Sequence, residues 1–211
     1  MGQVTPKGNS LARKTLIWAA LGAAIIVPVA LAAASPLLAW RDPIYIAAGL
    51  AGIIAMALML VQPLLAGGYL PGLFAGRGRR VHRMIGGMLV AAVVIHVAAL
   101  WVTSPPDVVD VLLFRAPTAF SPWGAIAMWA VFAAALLAAF RRRLRLRPRT
   151  WRLGHTTLVA AAVLCTVVHA LLIEGTMETV SKVALCALVV GAIVKVGADL
   201  RVWAIQKRRQ A

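Results

Sequence analysis

The segment "RVHRMIGGMLVAAVVIH", residues 80–96, begins in a cluster of arginines, continues through apolar residues and carries two histidines, His82 and His96. The whole chain has only four histidines. Of its 211 residues, 62% are hydrophobic and 13% are charged, and the apolar residues occur in several long runs. This composition excludes a soluble domain and indicates an integral membrane protein. The histidines therefore need an explanation, because ionisable groups inside membrane spans are costly and usually functional.

A membrane-spanning helix needs about 20 predominantly apolar residues, and six stretches of the chain meet this requirement. They are residues 16–39, 44–66, 82–103, 122–140, 153–173 and 180–200. Glycine, proline and charged residues separate them, as expected of loops between helices. The sequence therefore predicts an all-α, integral membrane six-helix bundle. We place this domain at residues 16–204, between an N-terminal cytoplasmic segment at 1–15 and a basic cytoplasmic tail at 205–211.

The formal net charge of +16 is distributed between the apolar runs and is not concentrated in a polar domain, which argues against a nucleic-acid-binding protein. Basic residues are retained on the cytoplasmic side of a membrane protein. If the N-terminus is placed in the cytoplasm, eighteen of the lysines and arginines fall on the inner side and five of the six acidic residues fall on the outer side. We therefore predict that both termini are cytoplasmic.

The four histidines form two pairs with equal spacing, His82 with His96 in the third predicted span and His155 with His169 in the fifth. A separation of 14 residues is just under four helical turns, so both members of a pair face nearly the same way, about 21 Å apart. The two spans are parallel in the predicted topology. We expect His82 to face His155 near the cytoplasmic surface, and His96 to face His169 farther out.

The chemistry of two imidazoles at each level indicates the ligand. Zinc normally takes four protein donors, and neither level offers a cysteine or a carboxylate. Haem iron needs only two axial donors from the protein, because the macrocycle supplies the other four. The chain has no C-x-x-C-H motif for covalent attachment. The sequence therefore predicts two b-type haems per chain, with all four histidines as iron ligands, between the third and fifth spans.

Further residues near the histidines are candidates for contacts with the cofactor. Gly86, one turn after His82, leaves room for a haem, but small residues also favour close helix packing, and the sequence does not separate these interpretations. Arg80, Arg83 and Arg152 are candidates for charge-assisted hydrogen bonds to haem propionates, although most of the inner arginines serve as topology signals. We predict no catalytic residue, since the short outer loops contain no evident nucleophile or metal site.

Two motifs, His82-Arg83-x-x-Gly86 with His96, and Trp151-Arg152-x-x-His155 with His169, resemble those of the ferric reductase-like transmembrane domain superfamily. That superfamily includes ferric reductases, NADPH oxidases and the haem membrane subunit of the periplasmic methionine sulfoxide reductase system. The resemblance covers essentially the entire chain. It implies a six-helix bundle with two b haems, one held by His82 with His155 and the other by His96 with His169. It also implies electron transfer from the cytoplasmic side to an acceptor outside.

The sequence departs from this pattern after the sixth span. Ferric reductases and NADPH oxidases continue there with flavin- and nicotinamide-binding domains, whereas this sequence has no G-x-G-x-x-G in a strand-to-helix setting. Gly154 also stands where relatives often have leucine. We expect the donor to be a separate flavoprotein or membrane quinol, and the acceptor to be ferric iron, oxygen or a periplasmic reductase. The chain is then the membrane electron-transfer component of an oxidoreductase, in a bacterial inner membrane.

Two other functions are compatible with the same histidines. In a transporter they would relay protons, although six helices are few for a monomeric carrier and no acidic residue lies in the middle of a predicted span. In a structural membrane anchor they would be interior hydrogen-bonding groups. A reduced-minus-oxidised spectrum separates both alternatives from the haem prediction.

Overall fold

The computed structural model describes the backbone of residues 7–73 and 75–209, and the side chains of residues 11–73 and 76–199. The ends of the predicted N-terminal segment and basic tail therefore lie outside the described residues, as do the side chains of the basic residues from Arg201 onward. Within the described chain, all regular secondary structure is helical. The seven α-helices are α1 (Lys7–Ala33), α2 (Pro43–Ala66), α3 (Ala75–Thr103), α4 (Pro105–Leu112), α5 (Ser121–Ala139), α6 (Pro148–Leu172) and α7 (Thr179–Arg209).

Six of these helices are long and apolar enough to cross a membrane, which confirms the predicted all-α, six-span architecture for the described residues. The exception is α4, an eight-residue helix in the connection where the sequence predicted only a loop. Pro105 and Pro106 occupy its first positions, where the missing N–H groups of proline have no helical partner to lose. The third and fifth predicted spans correspond to α3 and α6.

Several helix boundaries differ from the edges of the predicted spans, among them the end of α1 and the start of α3. The first span was predicted to reach residue 39, but α1 ends at Ala33 and is followed by a 3₁₀ turn at Pro36–Leu38. Pro36 disfavours helical backbone in the residue before it, and Ser35 caps the new turn by accepting a hydrogen bond from the Leu37 N–H. The third span was predicted to begin at residue 82, but α3 begins at Ala75. The arginines that precede the apolar run are good helix formers, so the helix extends through them toward its N-terminus.

The helices pack as two extensive pairs, α2 with α3 and α5 with α6. Helix α7 joins the pairs because it packs against both α2 and α6, and α1 contacts α2 and α7. The core between them includes Ile53, Leu60, Leu89, Val163 and Leu185. Helix α2 is the most enclosed span, since half of its most apolar window is buried, against 11% for α3. The outer faces of the other spans present leucine, isoleucine, valine and tryptophan side chains suited to lipid.

A polar contact at the end of α7 connects it to the residues that follow α2. Lys195 Nζ and Asp199 Oδ2, four residues apart on α7, form an exposed ion pair at 3.0 Å. The Tyr69 hydroxyl donates a hydrogen bond to the same carboxylate. This hydrogen bond to Asp199 raises the pKa of Tyr69 above its ordinary value. The contact therefore links the α2–α3 connection to α7 through one shared acceptor.

The start of α7 provides a prediction about pH. Glu178 precedes the helix, and its carboxylate accepts hydrogen bonds from the N–H groups of Val180 and Ser181 at 2.8 and 2.7 Å. The nearby Ser181 side chain, followed by these two N–H groups, lowers the pKa of Glu178 below its ordinary value of 4.5. A carboxylate with a lowered folded-state pKa stabilises the fold above its ordinary pKa, and this contribution is lost as the pH falls through the lowered value.

We therefore expect the first turn of α7 to open more readily in acid. The amides of Val180 and Ser181 should lose protection from hydrogen exchange, corrected for intrinsic rates, as the pH falls below the ordinary pKa of glutamate. In a Glu178→Gln variant, protection should be lower at neutral pH and should show no such acid transition. An identical acid transition in both proteins would contradict this role of Glu178.

Candidate functional site

The four histidines lie on two helices that each have a different supporting neighbour. His82 and His96 are in α3, which packs along α2, and His155 and His169 are in α6, which packs along α5. Among the described residues, α3 and α6 have no extensive direct packing against each other. Each histidine-bearing helix is therefore supported by its own neighbour, and the two do not pack extensively against each other.

The histidines come together across this arrangement in the two combinations that their spacing predicts. His82 lies within electrostatic range of His155, and His96 lies within electrostatic range of His169. Since His82 precedes His96 by as many residues as His155 precedes His169, the two pairs lie at two levels of the bundle. The structure thus brings together all four of the predicted site histidines, as two pairs.

At the second level, both imidazoles are oriented by backbone carbonyl groups of the supporting helices. His96 Nδ1 lies 2.7 Å from the carbonyl oxygen of Ala48, and His169 Nδ1 lies 2.9 Å from that of Phe120. A carbonyl oxygen only accepts hydrogen bonds, so Nδ1 must be the protonated nitrogen in both rings. In a neutral imidazole this leaves Nε2 with its lone pair, which is the form that binds a metal.

At the first level, the backbone of Gln62 lies beside the His82 imidazole and that of Ala134 beside the His155 imidazole. Here the Nδ1 atoms are buried and, among the residues that the structure describes, make no hydrogen bond of normal geometry. The side chain of Gln62 contributes a different contact, because its Nε2 donates to the His82 carbonyl oxygen at 3.2 Å. Backbone and side chain of Gln62 therefore both lie against His82.

The supporting carbonyl groups repeat the spacing of the histidines. Ala48 and Gln62 are 14 residues apart on α2, and Phe120 and Ala134 are 14 residues apart at the start and middle of α5. On each supporting helix the order is reversed relative to the histidines, as expected of antiparallel neighbours. The same 14-residue spacing, just under four helical turns, therefore places the imidazoles and the carbonyl groups of the supporting helices at matching heights.

Two glycines that the sequence analysis did not single out allow this close approach. A Cβ atom added at Gly52 would lie 3.1 Å from His96 Nδ1, and one added at Gly124 would lie 2.7 Å from His169 Nδ1. Each glycine is one helical turn after the carbonyl that its histidine contacts. In the sequence, the only sign of this arrangement is a glycine four residues after the residue whose carbonyl accepts the histidine hydrogen bond. This sign can be recognised only when it is known which helices pack together.

Other glycines near the histidines in the sequence have different surroundings. A Cβ atom at Gly86 would lie 3.2 Å from the side-chain nitrogen of Gln62, so Gly86 makes room for the amide that contacts His82. At Gly87 there is open space within 4 Å. At Gly154 an added Cβ would make an ordinary contact of 3.4 Å with Leu137. Within the described protein atoms, Gly86 thus serves close packing between α2 and α3.

Aromatic side chains contact one histidine at each level. Trp151 is stacked on His155, with ring centroids 5.3 Å apart and planes 9° apart. The Trp151 ring also contacts a cation, since the Arg141 guanidinium lies 4.3 Å from the centre of that ring. At the second level, Phe120 meets His169 edge to face at 5.7 Å. These rings restrict the rotation of the two α6 imidazoles.

The predicted arginine contacts lie near the first level but remain exposed. Arg80 and Arg83 flank His82 on α3, and Arg152 precedes His155 on α6. Within the part of the chain whose side chains are described, none of the three forms an ion pair. Their guanidinium groups are therefore available to an anionic group of a ligand or to the polar membrane surface.

The donor set fits a group that supplies most of its own ligands. Among the described residues, no cluster of three or more histidine, cysteine or acidic side chains exists, so each level offers two imidazoles. Haem iron requires two axial donors, whereas zinc normally requires four. The Nδ1 contacts with backbone carbonyls leave Nε2 as the donor atom at the second level. The residues present therefore fit two haem groups.

The helices and histidine pairs define a multi-pass membrane protein with two polar sites inside the bundle. The chain belongs to the family described as the ferric reductase like transmembrane component, which it matches over residues 48–166. This confirms the resemblance identified from the sequence. The matched range contains His82, His96 and His155 and ends just before His169. Comparison with curated proteins and with solved structures gave no significant match. The family associates the chain with transmembrane electron transfer and with redox partners.

The glycine contacts generate a prediction about stability. In a Gly124→Ala variant the new methyl group would displace the His169 imidazole from the Phe120 carbonyl and leave buried polar groups without partners. We expect a loss of about 1–3 kcal/mol in the free energy of unfolding. Gly22→Ala in α1, where an added Cβ has open space, should be neutral or stabilise the helix by up to about 1 kcal/mol. Unfolding of both variants in detergent is the measurement, and equal stabilities would contradict the role of Gly124.

Proposed function

We propose that the protein is a di-haem b-type cytochrome that transfers electrons across the membrane. His82 and His155 would hold one haem, and His96 and His169 the other. The observation that carries this proposal is the arrangement of the second pair, in which both Nδ1 atoms contact backbone carbonyls of separate supporting helices. That arrangement leaves two Nε2 donors for one ligand. The family to which the chain belongs supports the same conclusion.

In this proposal the protein holds two haem groups at different depths in the membrane. Haem supplies one-electron redox chemistry at its iron when bound. The hydrocarbon core of a bilayer is about 30 Å thick, and the two histidine levels are about 21 Å apart along helices with a rise of 1.5 Å per residue. The helix pairs therefore divide the membrane into shorter distances. The apolar helices around each level exclude water, and at the second level the carbonyls of Ala48 and Phe120 hold the imidazoles in the ligating tautomer.

We further propose that the first level lies near the cytoplasm, with both termini on that side. The inner arginines support this orientation, because basic residues are retained in the cytoplasm. Exposed Arg80, Arg83 and Arg152 lie at this level, where they would hold haem propionates or attract an anionic donor surface. The proposed donor is a separate flavoprotein or membrane quinol.

The second level would then deliver electrons to an acceptor outside, such as ferric iron, oxygen or a periplasmic reductase. The protein would be the membrane component of an oxidoreductase in a bacterial inner membrane, with residues 16–204 as one haem-binding domain. No catalytic residue is assigned to the chain in this proposal. Its outer surface contributes the short helix α4 and the connection between α6 and α7.

A spectrum of the purified protein tests the proposal. We expect a reduced-minus-oxidised difference spectrum of the b type, with about two haems per chain by quantitative extraction. A preparation that is folded, colourless and unable to take up added haem would contradict the proposal. That result would favour one of the other two functions considered from the sequence, a proton-relay transporter or a structural anchor.

Single histidine variants test the assignment of each pair. His96→Ala should remove the outer haem, leave one haem reducible from the cytoplasmic side and abolish reduction of an impermeant external acceptor. His82→Ala is the matched variant at the other level and should remove the inner haem while His96 and His169 still bind theirs. Haem content of each purified variant and acceptor reduction in oriented vesicles are the measurements. Retention of both haems in His96→Ala would show that the pairing is wrong.

A further inference from the structure

Lys182, near the start of α7, is a buried cation at the outer end of the bundle. Its exposed fraction is only 9%, whereas Arg41 and Arg115, which lie in the other connections on the same side of the predicted topology, are exposed. A buried ammonium group is costly unless hydrogen bonds and an opposite charge compensate it. The surroundings of Lys182 therefore determine what it does.

The protein supplies only part of that compensation. Lys182 Nζ donates to the carbonyl oxygen of Ile173 at 2.7 Å, but an ammonium group has three N–H donors. The acidic residue one turn earlier, Glu178, uses its carboxylate for the N–H groups of Val180 and Ser181. Lys182 forms no ion pair within the part of the chain whose side chains are described. Its positive charge is therefore without a protein carboxylate.

The position of Lys182 relates it to the second histidine pair. Its partner Ile173 donates its own N–H to the carbonyl oxygen of His169 at 3.1 Å, so the ammonium group lies one helical turn beyond that histidine. The same connection also contacts α2, because the Thr176 hydroxyl lies directly against Gly49, next to the Ala48 carbonyl that orients His96. Lys182 therefore lies beyond both His96 and His169, toward the outer end of the bundle.

We propose that Lys182 binds a carboxylate group at the outer end of the site formed by His96 and His169. The inference rests on the proposed function, since the carboxylate would belong either to the haem at that level or to an organic acid that enters from outside. In both cases the chemistry is the same, a charge-assisted hydrogen bond between an ammonium group and a carboxylate in a water-poor site. The carbonyl of Ile173 orients Lys182, and the ligand supplies the missing negative charge.

Haem titration of the apoprotein in a His82→Ala background tests this inference, because only the outer pair can then hold haem. Lys182→Gln should weaken haem binding roughly tenfold, the effect of losing one hydrogen bond between charged groups. Lys182→Arg should remain close to the parent protein. Haem dimethyl ester, which lacks free carboxylates, should bind equally with and without the substitution. Lys195→Gln, an exposed lysine at the other end of α7, is the matched control and should have no effect.

Citrate separates the two sources of the carboxylate. If haem binding is unchanged in Lys182→Gln but citrate binding to the full chain is lost, the carboxylate comes from outside and the proposal still holds. If haem, ester and citrate all bind as before, or if haem and ester weaken equally, Lys182 only caps α6 and the proposal is wrong. Lys182→Met replaces Lys182→Gln if the latter does not fold.

The same experiments show whether a negative result contradicts the inference about Lys182 or the proposed function. A parent protein that binds no haem contradicts the haem assignment itself, whatever its lysine variants do. In that case citrate binding to the parent and to Lys182→Gln decides whether Lys182 is a carboxylate site. Haem binding that is normal in the parent and unaffected by Lys182 contradicts only the inference about this lysine.

Discussion

The hydrogen bond between an imidazole Nδ1 and a backbone carbonyl of the neighbouring helix is the interaction on which the site depends. Within a membrane, an unpaired polar nitrogen is expensive, so a histidine in a span needs a partner inside the protein. At the second level the partners are the carbonyls of Ala48 and Phe120, at 2.7 and 2.9 Å. The bonds join α3 to α2 and α6 to α5. They satisfy one nitrogen of each ring and leave the other for a ligand.

The two levels differ in how far they meet this constraint. At the second level, Gly52 and Gly124 let the rings approach the carbonyls closely. At the first level, the Nδ1 atoms have no hydrogen bond of normal geometry among the described residues, and the stacked Trp151 orients His155 from the side. The Gln62 amide contacts the backbone of His82. Hydrogen bonds to Nδ1 make an imidazole a stronger donor, so under the proposed function the second pair would be the stronger ligand pair.

Much of the fold was predictable because it depends on local composition. Six spans follow from apolar length, and the matching of His82 with His155 and His96 with His169 follows from helical periodicity. The supporting contacts were not predictable, because they join residues 48 apart, as in Ala48 and His96, and depend on which helices pair. Gly86 illustrates the difference, since it lies one turn from His82 yet its close neighbour is the Gln62 side chain. Helix α4 was missed because its apolar run is too short to give a spanning pattern.

The separation of two ferric centres is the measurement that tests the account most directly. Pulsed dipolar EPR on oxidised, haem-loaded protein reports both the ligand type and the distance between the irons. The account predicts two low-spin signals typical of paired histidine ligands, about 21 Å apart for a separation of 14 residues along the helices. A single low-spin centre, or two centres in direct contact, would contradict it.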